Sequence, residues 1–355
     1  MRKDNMAESL ETKILDYTLG QEASLGQMTG KTIFVMNGEA GKGLKSLSEK
    51  NVLKVYQTHK TAYDALREDK IMAHYDMRGD FIPDSHDVIM VCLSKNKQEN
   101  LFHIGFGLFL LKKGGTILCY GRNDFGVTSY QKVLKEVGMG ELNTAVKYKS
   151  RAFWAEKTDT LDATLLSKWI GYGTFNRIAD TQLEAIPGLF SADKIDKGSV
   201  LLCEHLPKNL DKMGADFGCG YGFLSYYILS QGIANNIVCI DNDHKAVDCA
   251  RQNLNVFIDG ERVITFQWLD LVRDMLPKAS ISWAVMNPPF HDDKEENHAL
   301  GQAFIKNASQ ALKKGGTLYM VANAHLPYEK ILAANFSKVE KLVEKEGFKV
   351  FAATV

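Results

Sequence analysis

A six-residue repeat constrains the fold of this 355-residue chain more than any other feature. Leu111-Lys-Lys-Gly-Gly-Thr116 recurs as Leu312-Lys-Lys-Gly-Gly-Thr317, and each copy follows a helical pattern and precedes an apolar strand. A repeat of this kind indicates a duplicated unit. Strand and helix patterns alternate in both halves, which is typical of parallel sheets with helices on both faces. The sequence therefore predicts an α/β protein with two tandem Rossmann-like domains, each a doubly wound, mostly parallel sheet.

The correspondence between the halves extends upstream of the repeat. Asp87–Val91 occupies the place of Trp283–Asn287, and Thr32–Gly38 occupies the place of the strand before a glycine-rich segment at 216–222. A chain of this length also exceeds what one hydrophobic core usually serves. We therefore expect one domain over residues 1–175 and a second over residues 180–355.

The glycine-rich segment of the second half is the first candidate site. It reads Asp216-Phe-Gly-Cys-Gly-Tyr-Gly222, between an apolar stretch and a helical pattern, with glycines at 218, 220 and 222. Glycines at alternate positions let the backbone bend sharply and approach a ligand closely. The spacing differs from the Gly-x-Gly-x-x-Gly that wraps a pyrophosphate. An acid before the first glycine suits a cationic ligand better than a phosphate, so Asp216, Gly218, Gly220 and Gly222 are predicted to bind a cofactor.

Two further acids follow the next predicted strands. Asp241 closes the strand 236–240, and Asp270 follows 264–269. An acid in the position of Asp241 can accept hydrogen bonds from both ribose hydroxyls in nucleotide-binding α/β folds. Asp270 can receive an adenine amino group. A single acid at a strand end is often only a helix cap, but three in order beside a glycine-rich loop indicate a nucleoside-containing cofactor.

The strand 283–286 runs into Asn287-Pro288-Pro289-Phe290, which has the character of a site for a planar amine. An exocyclic NH₂ is a poor nucleophile because its lone pair is delocalised. An Asn side-chain oxygen and a backbone carbonyl can each accept one of its N–H groups, and prolines make the turn rigid. An aromatic ring supplies a stacking face for a base. Asn287, Pro288 and Phe290 are therefore the candidate catalytic residues.

Residues 186–355 resemble the class I S-adenosylmethionine-dependent methyltransferases, and among them the guanine-N2 methyltransferases of 16S ribosomal RNA. The matching segments, in chain order, are Pro187–Ser191, Asp196–Ser199, Asp216–Gly222, Asn287–Asp292 and Val321–Tyr328. The resemblance implies S-adenosylmethionine as cofactor, a guanine N2 amine as methyl acceptor, and a segment 187–199 that covers the cofactor. It also implies that the first domain, which lacks these motifs, is a degenerate copy for RNA recognition or structural support.

Composition restricts the class of protein further. The net charge is zero, but residues 101–154 contain eight basic side chains against three acids, with Tyr148, Phe153 and Trp154 among the last of them. Basic residues interleaved with aromatic ones suit contact with RNA. No apolar run is long enough to span a membrane, the first residues lack the apolar core of a signal peptide, and the six cysteines show no zinc spacing. These features predict a cytoplasmic protein without metal. The resemblance implies that it acts on ribosomal RNA or the small ribosomal subunit, and the internal duplication favours a monomer.

Several alternatives stay open at this level. Guanine-N2 methyltransferases of 23S RNA share much of the pattern, and Asn-Pro-Pro-aromatic also serves adenine-N6 and protein glutamine methyltransferases. A non-catalytic RNA-binding assembly factor is a further possibility, although the intact loop Asp216–Gly222 argues against it. A nicotinamide dehydrogenase is disfavoured because the dinucleotide spacing is absent.

Overall fold

The computed structural model describes residues 8–77, 81–288 and 294–355, with the side chains of 294–299 left out. The chain divides into two compact units, Met1–Thr174 and Phe175–Val355. Each unit contains one seven-stranded sheet, and the second also contains a two-stranded sheet. The predicted fold class is confirmed.

In the described residues of the first unit, two helices precede the sheet, and strands then alternate with helices except at β3–β4 and β6–β7, which follow one another without a helix. Its strands are β1 (Thr32–Met36), β2 (Val52–Tyr56), β3 (Met72–His74), β4 (His86–Cys92), β5 (Leu111–Arg122), β6 (Asn143–Lys147) and β7 (Ser150–Glu156). Its helices are α1 (Leu10–Gln21), α2 (Ala23–Gly26), α3 (Lys42–Ser48), α4 (Lys60–Glu68), α5 (Lys97–Leu110), α6 (Ser129–Glu136) and α7 (Ala163–Gly171).

The second unit repeats this plan after a short two-stranded lead segment. Its strands are β8 (Asn176–Arg177), β9 (Glu184–Ala185), β10 (Met213–Phe217), β11 (Asn236–Asp241), β12 (Val263–Trp268), β13 (Ile281–Met286), β14 (Leu312–Asn323), β15 (Lys338–Lys345) and β16 (Phe348–Thr354). Its helices are α8 (Lys197–Glu204), α9 (Phe223–Ser230), α10 (His244–Leu254), α11 (Lys294–Ala311) and α12 (Glu329–Asn335).

The two large sheets have the same strand order. The first runs β3-β2-β1-β4-β5-β7-β6 and the second β12-β11-β10-β13-β14-β16-β15. In each, the first five strands form parallel pairs, and β7 or β16 then pairs antiparallel with both of its neighbours, so six strands run in one direction and one runs against them. The chain reverses its direction of travel across the sheet between β10 and β13, and ligands of open α/β sheets bind at such a switch point. The repeat Leu-Lys-Lys-Gly-Gly-Thr opens β5 and β14, so the duplication predicted from it is present in the fold.

The register corrects the predicted alignment of the halves by one residue. Ile33 on β1 pairs with Val88, and the equivalent Gly214 on β10 pairs with Trp283. Val88 rather than Asp87 therefore corresponds to Trp283. In the corrected alignment the charged Asp87 corresponds to the polar Ser282, so the mismatch between Asp87 and Trp283 was a sequence signal for the offset.

Close packing of aromatic rings against glycines fixes the central strands of the second unit. A Cβ atom on Gly214 would lie 2.0 Å from the Trp283 ring, so only glycine lets β10 and β13 pack in this way. A Cβ atom on Gly301 of α11 would lie 2.1 Å from the Tyr328 hydroxyl. Tyr328 is fully buried and ends the family-specific segment 321–328, which therefore holds α11 against the sheet. The first contact fixes β10 against β13, and the second fixes α11, the helix that follows β13, against the segment 321–328.

The lead segment of the second unit is attached to the glycine-rich loop. The side-chain amide of Asn253 on α10 donates to the carbonyls of Glu184 and Tyr221, at 2.8 and 2.7 Å, and its oxygen accepts from the Glu184 N–H. Leu189 packs in the same hydrophobic cluster as Tyr221. The segment before α8 therefore lies next to the loop, as expected for a segment that borders a ligand site.

Candidate active site

The glycine-rich loop uses all three of its glycines in the left-handed region of backbone conformation. The φ angles of Gly218, Gly220 and Gly222 are 75°, 53° and 91°, which other residue types adopt only with strain. A Cβ atom on Gly222 would lie 3.2 Å from Ala250 of α10, whereas one on Gly220 would meet nothing within 4 Å. Gly222 therefore lets α9 begin close to α10, and Gly220 leaves open space on the outer side of the loop.

Asp216, at the end of β10, is a buried carboxyl with an incomplete set of partners. The Ser225 hydroxyl donates to its Oδ2 at 2.6 Å, while its Oδ1 has no hydrogen-bond partner. Burial raises the pKa of Asp216 to about 7; bonds from Ser225 act in the opposite direction, and the neighbouring Asp241 raises it further. A buried acceptor without a donor is costly, and a cationic ligand group would complete it.

Asp241 ties the loop to the next strand. Its Oδ2 accepts from the Gly220 N–H and its Oδ1 from the Asp243 N–H, both at 2.9 Å. The carboxylate therefore fixes the conformation of the loop at the end of β11.

Asp270 follows β12 and makes a local capping arrangement. Its Oδ1 accepts from the Val272 N–H at 3.0 Å, and its own N–H donates to Asp274 at 2.9 Å. The side chain is largely buried. Asp270 therefore holds the turn that follows β12, where no helix begins, and any contact with a ligand would be in addition to these bonds.

Asn287 lies at the end of β13, and its amide is held by two residues from α8. Its Nδ2 donates to Asp196 Oδ2 at 2.9 Å and to Ser199 Oγ at 2.8 Å. Pro288 follows as a buried residue, whereas Phe290, the third candidate catalytic residue, lies outside the described residues together with Pro289 and His291. Sequence reasoning picked out Asp196–Ser199 as a matching motif but assigned that segment to covering the cofactor. It missed the contact with Asn287, because no local pattern links residues about 90 positions apart.

The strand order arranges these residues along one edge of the sheet. Asp270, Asp241, the loop Asp216–Gly222 and Asn287 follow β12, β11, β10 and β13 in that spatial order. Asp241 contacts the loop directly, and Asn287 follows Met286, which is paired with Phe217 just before Gly218. The six predicted cofactor-binding residues and Asn287 therefore lie along one edge of the second sheet, with the glycine-rich loop and Asn287 at the switch point between β10 and β13.

The fold and this site define a class I methyltransferase. The family model for the methyltransferase small domain matches residues 180–352, and that for its N-terminal domain matches residues 23–171. The chain belongs to the family of ribosomal RNA small subunit methyltransferase C.

The family of the chain follows from its similarity to relatives named ribosomal RNA small subunit methyltransferase C. One from Citrobacter koseri is 31% identical over 267 residues, which cover 75% of each chain. One from Serratia proteamaculans is 30% identical over 274 residues, covering 76% of this chain and 75% of the relative. One from Shewanella sediminis is 24% identical and covers 91% and 94%. The resemblance noted from the sequence is confirmed.

A solved structure extends the similarity to the whole fold. The 16S rRNA N2 G1207 methyltransferase of T. thermophilus, in complex with AdoMet and guanosine, superposes with a TM-score of 0.80. The match covers 99% of this chain and 93% of that one at 20% identity. The tandem arrangement of two related sheets is therefore shared with an enzyme of known structure.

Neither a membrane-spanning helix nor a cluster of metal ligands occurs in the part of the chain that the structure describes. Within residues 8–77, 81–288 and 294–355, no helix has the length and apolar character needed to cross a membrane. Over the same ranges, no group of three or more His, Cys, Asp or Glu side chains could hold a metal ion. All six cysteines are buried and unpaired with one another.

Proposed function

We propose that this protein methylates the exocyclic N2 amine of a guanine in 16S ribosomal RNA, with S-adenosylmethionine as methyl donor. The family of the chain and the names of its relatives support this activity. The observation that carries it is the Asn287 amide, whose N–H groups are directed at Asp196 and Ser199. Its Oδ1 makes no bond to any described residue and can accept one.

The chemistry of the transfer follows from the needs of a planar amine. The Asn287 Oδ1 accepts one N–H of the guanine N2 amine, and the Pro288 carbonyl accepts the other. These two bonds turn the nitrogen lone pair out of conjugation and toward the methyl group. The cofactor supplies the electrophile, and the protein supplies position and dipoles. A strong base is unnecessary, because the amine becomes acidic once methylated and loses its proton to water.

The cofactor fits the loop edge of the second sheet. The unpartnered Oδ1 of Asp216 suits the ammonium of the methionine portion, directly or through a water. Gly218, Gly220 and Gly222 leave room for the methionine and ribose portions, and Asp241, an acid at the end of the second strand of the motif, suits the ribose hydroxyls. Asp270 borders the place of the adenine. We propose these contacts together with stacking of the target guanine on Phe290. The guanine would first leave its stack in the RNA, at a cost of a few kcal/mol.

We propose that the first unit contacts the RNA through the hairpin between β6 and β7. Its two turn residues, Tyr148 and Lys149, have φ angles of 54° and 53°. The equivalent turn between β15 and β16 is Glu346-Gly347, with 51° and 83°. A lysine in this conformation costs about 1 kcal/mol that glycine avoids. The hairpin of the first unit is therefore strained at Lys149, and it carries a cationic side chain at its tip where the second unit has glycine.

The surroundings of this turn combine basic and aromatic groups. The Tyr148 side chain is 43% exposed, and the Lys147 ammonium lies 4.2 Å from the Tyr17 ring centre. On the adjacent strand end, Arg122 lies 4.8 Å from the Phe125 ring centre and also pairs with Asp124. Ammonium groups suit phosphates and exposed rings suit bases. This composition supports RNA as the ligand of the surface.

We further propose that the enzyme acts as a monomer in the cytoplasm. The chain already contains two copies of the fold, which favours a protein that works without a second chain. Ribosomal RNA is matured where ribosomes are assembled, which supports a cytoplasmic place of action. Light scattering over a range of concentrations tests the oligomeric state, and a mass twice that of the chain would contradict a monomer.

The proposed activity is tested by methyl transfer to competing substrates. Labelled S-adenosylmethionine is offered with 16S RNA, 30S particles, 23S RNA and a release-factor protein in parallel, and modified products are identified by mass spectrometry. We expect N2-methylguanosine in 16S RNA or in 30S particles. Label in 23S RNA alone would retain the chemistry and change the target. Label in the protein, or none despite tight cofactor binding, would overturn the proposal.

A further inference from the structure

The first turn of α8 is held in a fixed position beside Asn287. Asp196 caps this helix, because its Oδ2 accepts from the Ser199 N–H at 2.8 Å. A Cβ atom on Gly198 would lie 2.9 Å from the Phe348 ring and 3.1 Å from Asp196 Oδ2. Glycine at this position therefore lets the turn pack directly against β16. The capping carboxylate and the Ser199 hydroxyl reach Asn287 from a rigid element rather than from a loop.

The direction of the Asn287 amide follows from its neighbours. Its nitrogen has two hydrogens, and they are used by Asp196 Oδ2 and Ser199 Oγ. An ionised carboxylate only accepts hydrogen bonds, so the amide oxygen cannot take the place of the nitrogen on that side. Both N–H groups are therefore directed toward α8, and Oδ1 is the atom left for a ligand.

We propose that Asp196 and Ser199 are positioning residues for methyl transfer, which they serve by fixing the Asn287 amide so that Oδ1 faces the acceptor amine. This inference rests on the proposed function. With the amide reversed, its NH₂ would face the NH₂ of guanine, donor against donor. A bond from the amide to a carboxylate is charge-assisted and places more negative charge on Oδ1. Oδ1 is then a better acceptor for an amine that becomes positive as it attacks.

If Asp196 and Ser199 served only the stability of α8, a substitution that keeps the helix cap would leave methyl transfer unchanged; if they position Asn287, it would not. Asp196 caps α8, and loss of the cap alone would weaken the fold. Serine is as good a helix cap as aspartate, and α1 of the first unit uses Ser9 in this way, with the Thr12 N–H donating to its hydroxyl at 3.1 Å. The substitution Asp196→Ser therefore keeps a cap and removes the carboxylate from Asn287. Ser199→Ala keeps a good helix former and removes the hydroxyl.

The matched control lies in the first unit. Thr12 is to α1 what Ser199 is to α8, the third residue after the cap, and it is equally buried. Thr12→Ala removes a hydroxyl from the same place in the fold without a contact to Asn287. Its effect on thermal stability and on turnover measures what the loss of a hydroxyl at this helix position costs by itself.

The test measures turnover and nucleoside preference in the same proteins. We expect kcat for methyl transfer to fall about tenfold in Ser199→Ala and about a hundredfold in the double variant with Asp196→Ser. The KM for RNA and the affinity for S-adenosylmethionine should stay within about twofold, and Thr12→Ala should retain wild-type kcat. In the Asn287→Ala background, Ser199→Ala should have no further effect on single-turnover rates, because residues that act through one another are not additive.

Binding of guanosine and inosine supplies a readout that needs no methyl transfer. Inosine lacks the N2 amine, so wild type with S-adenosylhomocysteine should bind guanosine about fivefold to tenfold more tightly than inosine. The double variant should bring this ratio close to one. An unchanged ratio and unchanged kcat in the double variant would overturn the positioning role alone. A wild-type protein that neither distinguishes the two nucleosides nor methylates RNA would overturn the proposed function, and the positioning role with it.

Discussion

The two sheets of this protein have the same topology, but only the second has an open ligand edge. In the shared register, Gly220 corresponds to Glu39, Asp241 to Gln57 and Asn287 to Cys92. Each change replaces a group that can face a ligand by one that binds or packs within the protein. The comparison teaches that a duplicated fold can lose a site without losing a strand, by filling the edge where the site would lie.

Gln57 shows how closely the first unit imitates the second. Its Oε1 accepts from the His59 N–H at 2.9 Å, just as Asp241 accepts from the N–H two residues on. Its Nε2, however, donates to the Gly38 carbonyl at 3.0 Å, where Asp241 accepts from Gly220. The turn is preserved, but the negative charge is absent and the side chain is 2% exposed. The first unit therefore has no carboxylate at this strand end for a ribose.

Glycines serve opposite purposes in the two loops. A Cβ atom on Gly41 would lie 2.4 Å from Thr12, and one on Gly43 would lie 2.6 Å from Asp16, because α1 packs directly on the loop. The Ser9 and Thr12 hydroxyls also donate to Glu39. In the second unit, the side of Gly220 where a Cβ would be is open. In the first unit, glycine lets α1 pack closely against the loop. In the second unit, glycine leaves space for a ligand beside the loop.

The largest expected effect distinguishes Asn287 from its counterpart Cys92. Asn287→Ala removes the acceptor for the amine, so we expect kcat to fall about 10² to 10³-fold, as for other preorganised hydrogen-bonding groups. Cofactor affinity should stay within about twofold. Cys92→Ala, at the equivalent strand end, should leave kcat unchanged. Rates of methyl transfer and calorimetry with S-adenosylmethionine measure both, and equal loss of turnover and cofactor binding in Asn287→Ala would mean that the turn holds the fold.

The sequence predicted the comparison at the level of strands and motifs but not of contacts. The repeat at 111–116 and 312–317 and the apolar runs located both sheets, and the spacing of Asp216–Gly222 located the loop. Two features had no sequence signal: the Gln57 side chain within the first loop, and the bonds from Asp196 and Ser199 to Asn287. Both depend on residues that are close only after folding. Periodicity reports which face of an element is buried, not which distant side chain it contacts.

The second prediction concerns the number of cofactor sites. Asp241→Ala removes the acceptor proposed for the ribose hydroxyls and also the acceptor for Gly220, so we expect cofactor affinity to fall about tenfold to a hundredfold, or about 1.4 to 2.7 kcal/mol. Gln57→Ala should leave it unchanged. Calorimetry should give one site per chain in wild type. Two cofactor sites per chain, or an unchanged cofactor affinity in Asp241→Ala, would contradict the conclusion that only the second unit binds the cofactor.

The third prediction uses the buried carboxyl of Asp216, whose counterpart in the first unit is the apolar Val35. Its pKa in the folded protein, about 7, is above the ordinary value of 3.8, so the folded state binds the proton more tightly than the unfolded state. Its contribution to stability is therefore present below about pH 4 and is lost as the pH rises toward 7. Asp216→Asn should raise the Tm of the ligand-free protein at pH 8 by a few degrees, at roughly 2 to 4 °C per kcal/mol, and less at pH 5.

Cofactor binding should show the opposite dependence on pH. An ammonium group favours the ionised carboxylate, so the affinity of wild type should decrease as the pH falls from 8 to 6, with release of a proton on binding at the lower pH. Asp216→Asn should bind more weakly and lose this dependence. Calorimetry in buffers of different ionisation enthalpy measures the proton. A wild-type affinity that does not vary across this range would mean that Asp216 does not meet a cationic part of the cofactor.

The smallest effect concerns the strained hairpin that distinguishes the first sheet from the second. Lys149→Gly gives the turn between β6 and β7 the glycine that Gly347 supplies in the equivalent turn, so we expect the first unit to gain about 1 kcal/mol in stability. The same change removes one cation, so RNA affinity should fall a few-fold and the slope of log affinity against log salt should become shallower by about one. Lys345→Gly, which removes a cation beside the equivalent turn of the second unit, is the control and should leave both RNA quantities unchanged. Filter binding across a salt series separates these outcomes: a stabilised Lys149→Gly variant with an unchanged salt slope would mean that the strain serves something other than RNA.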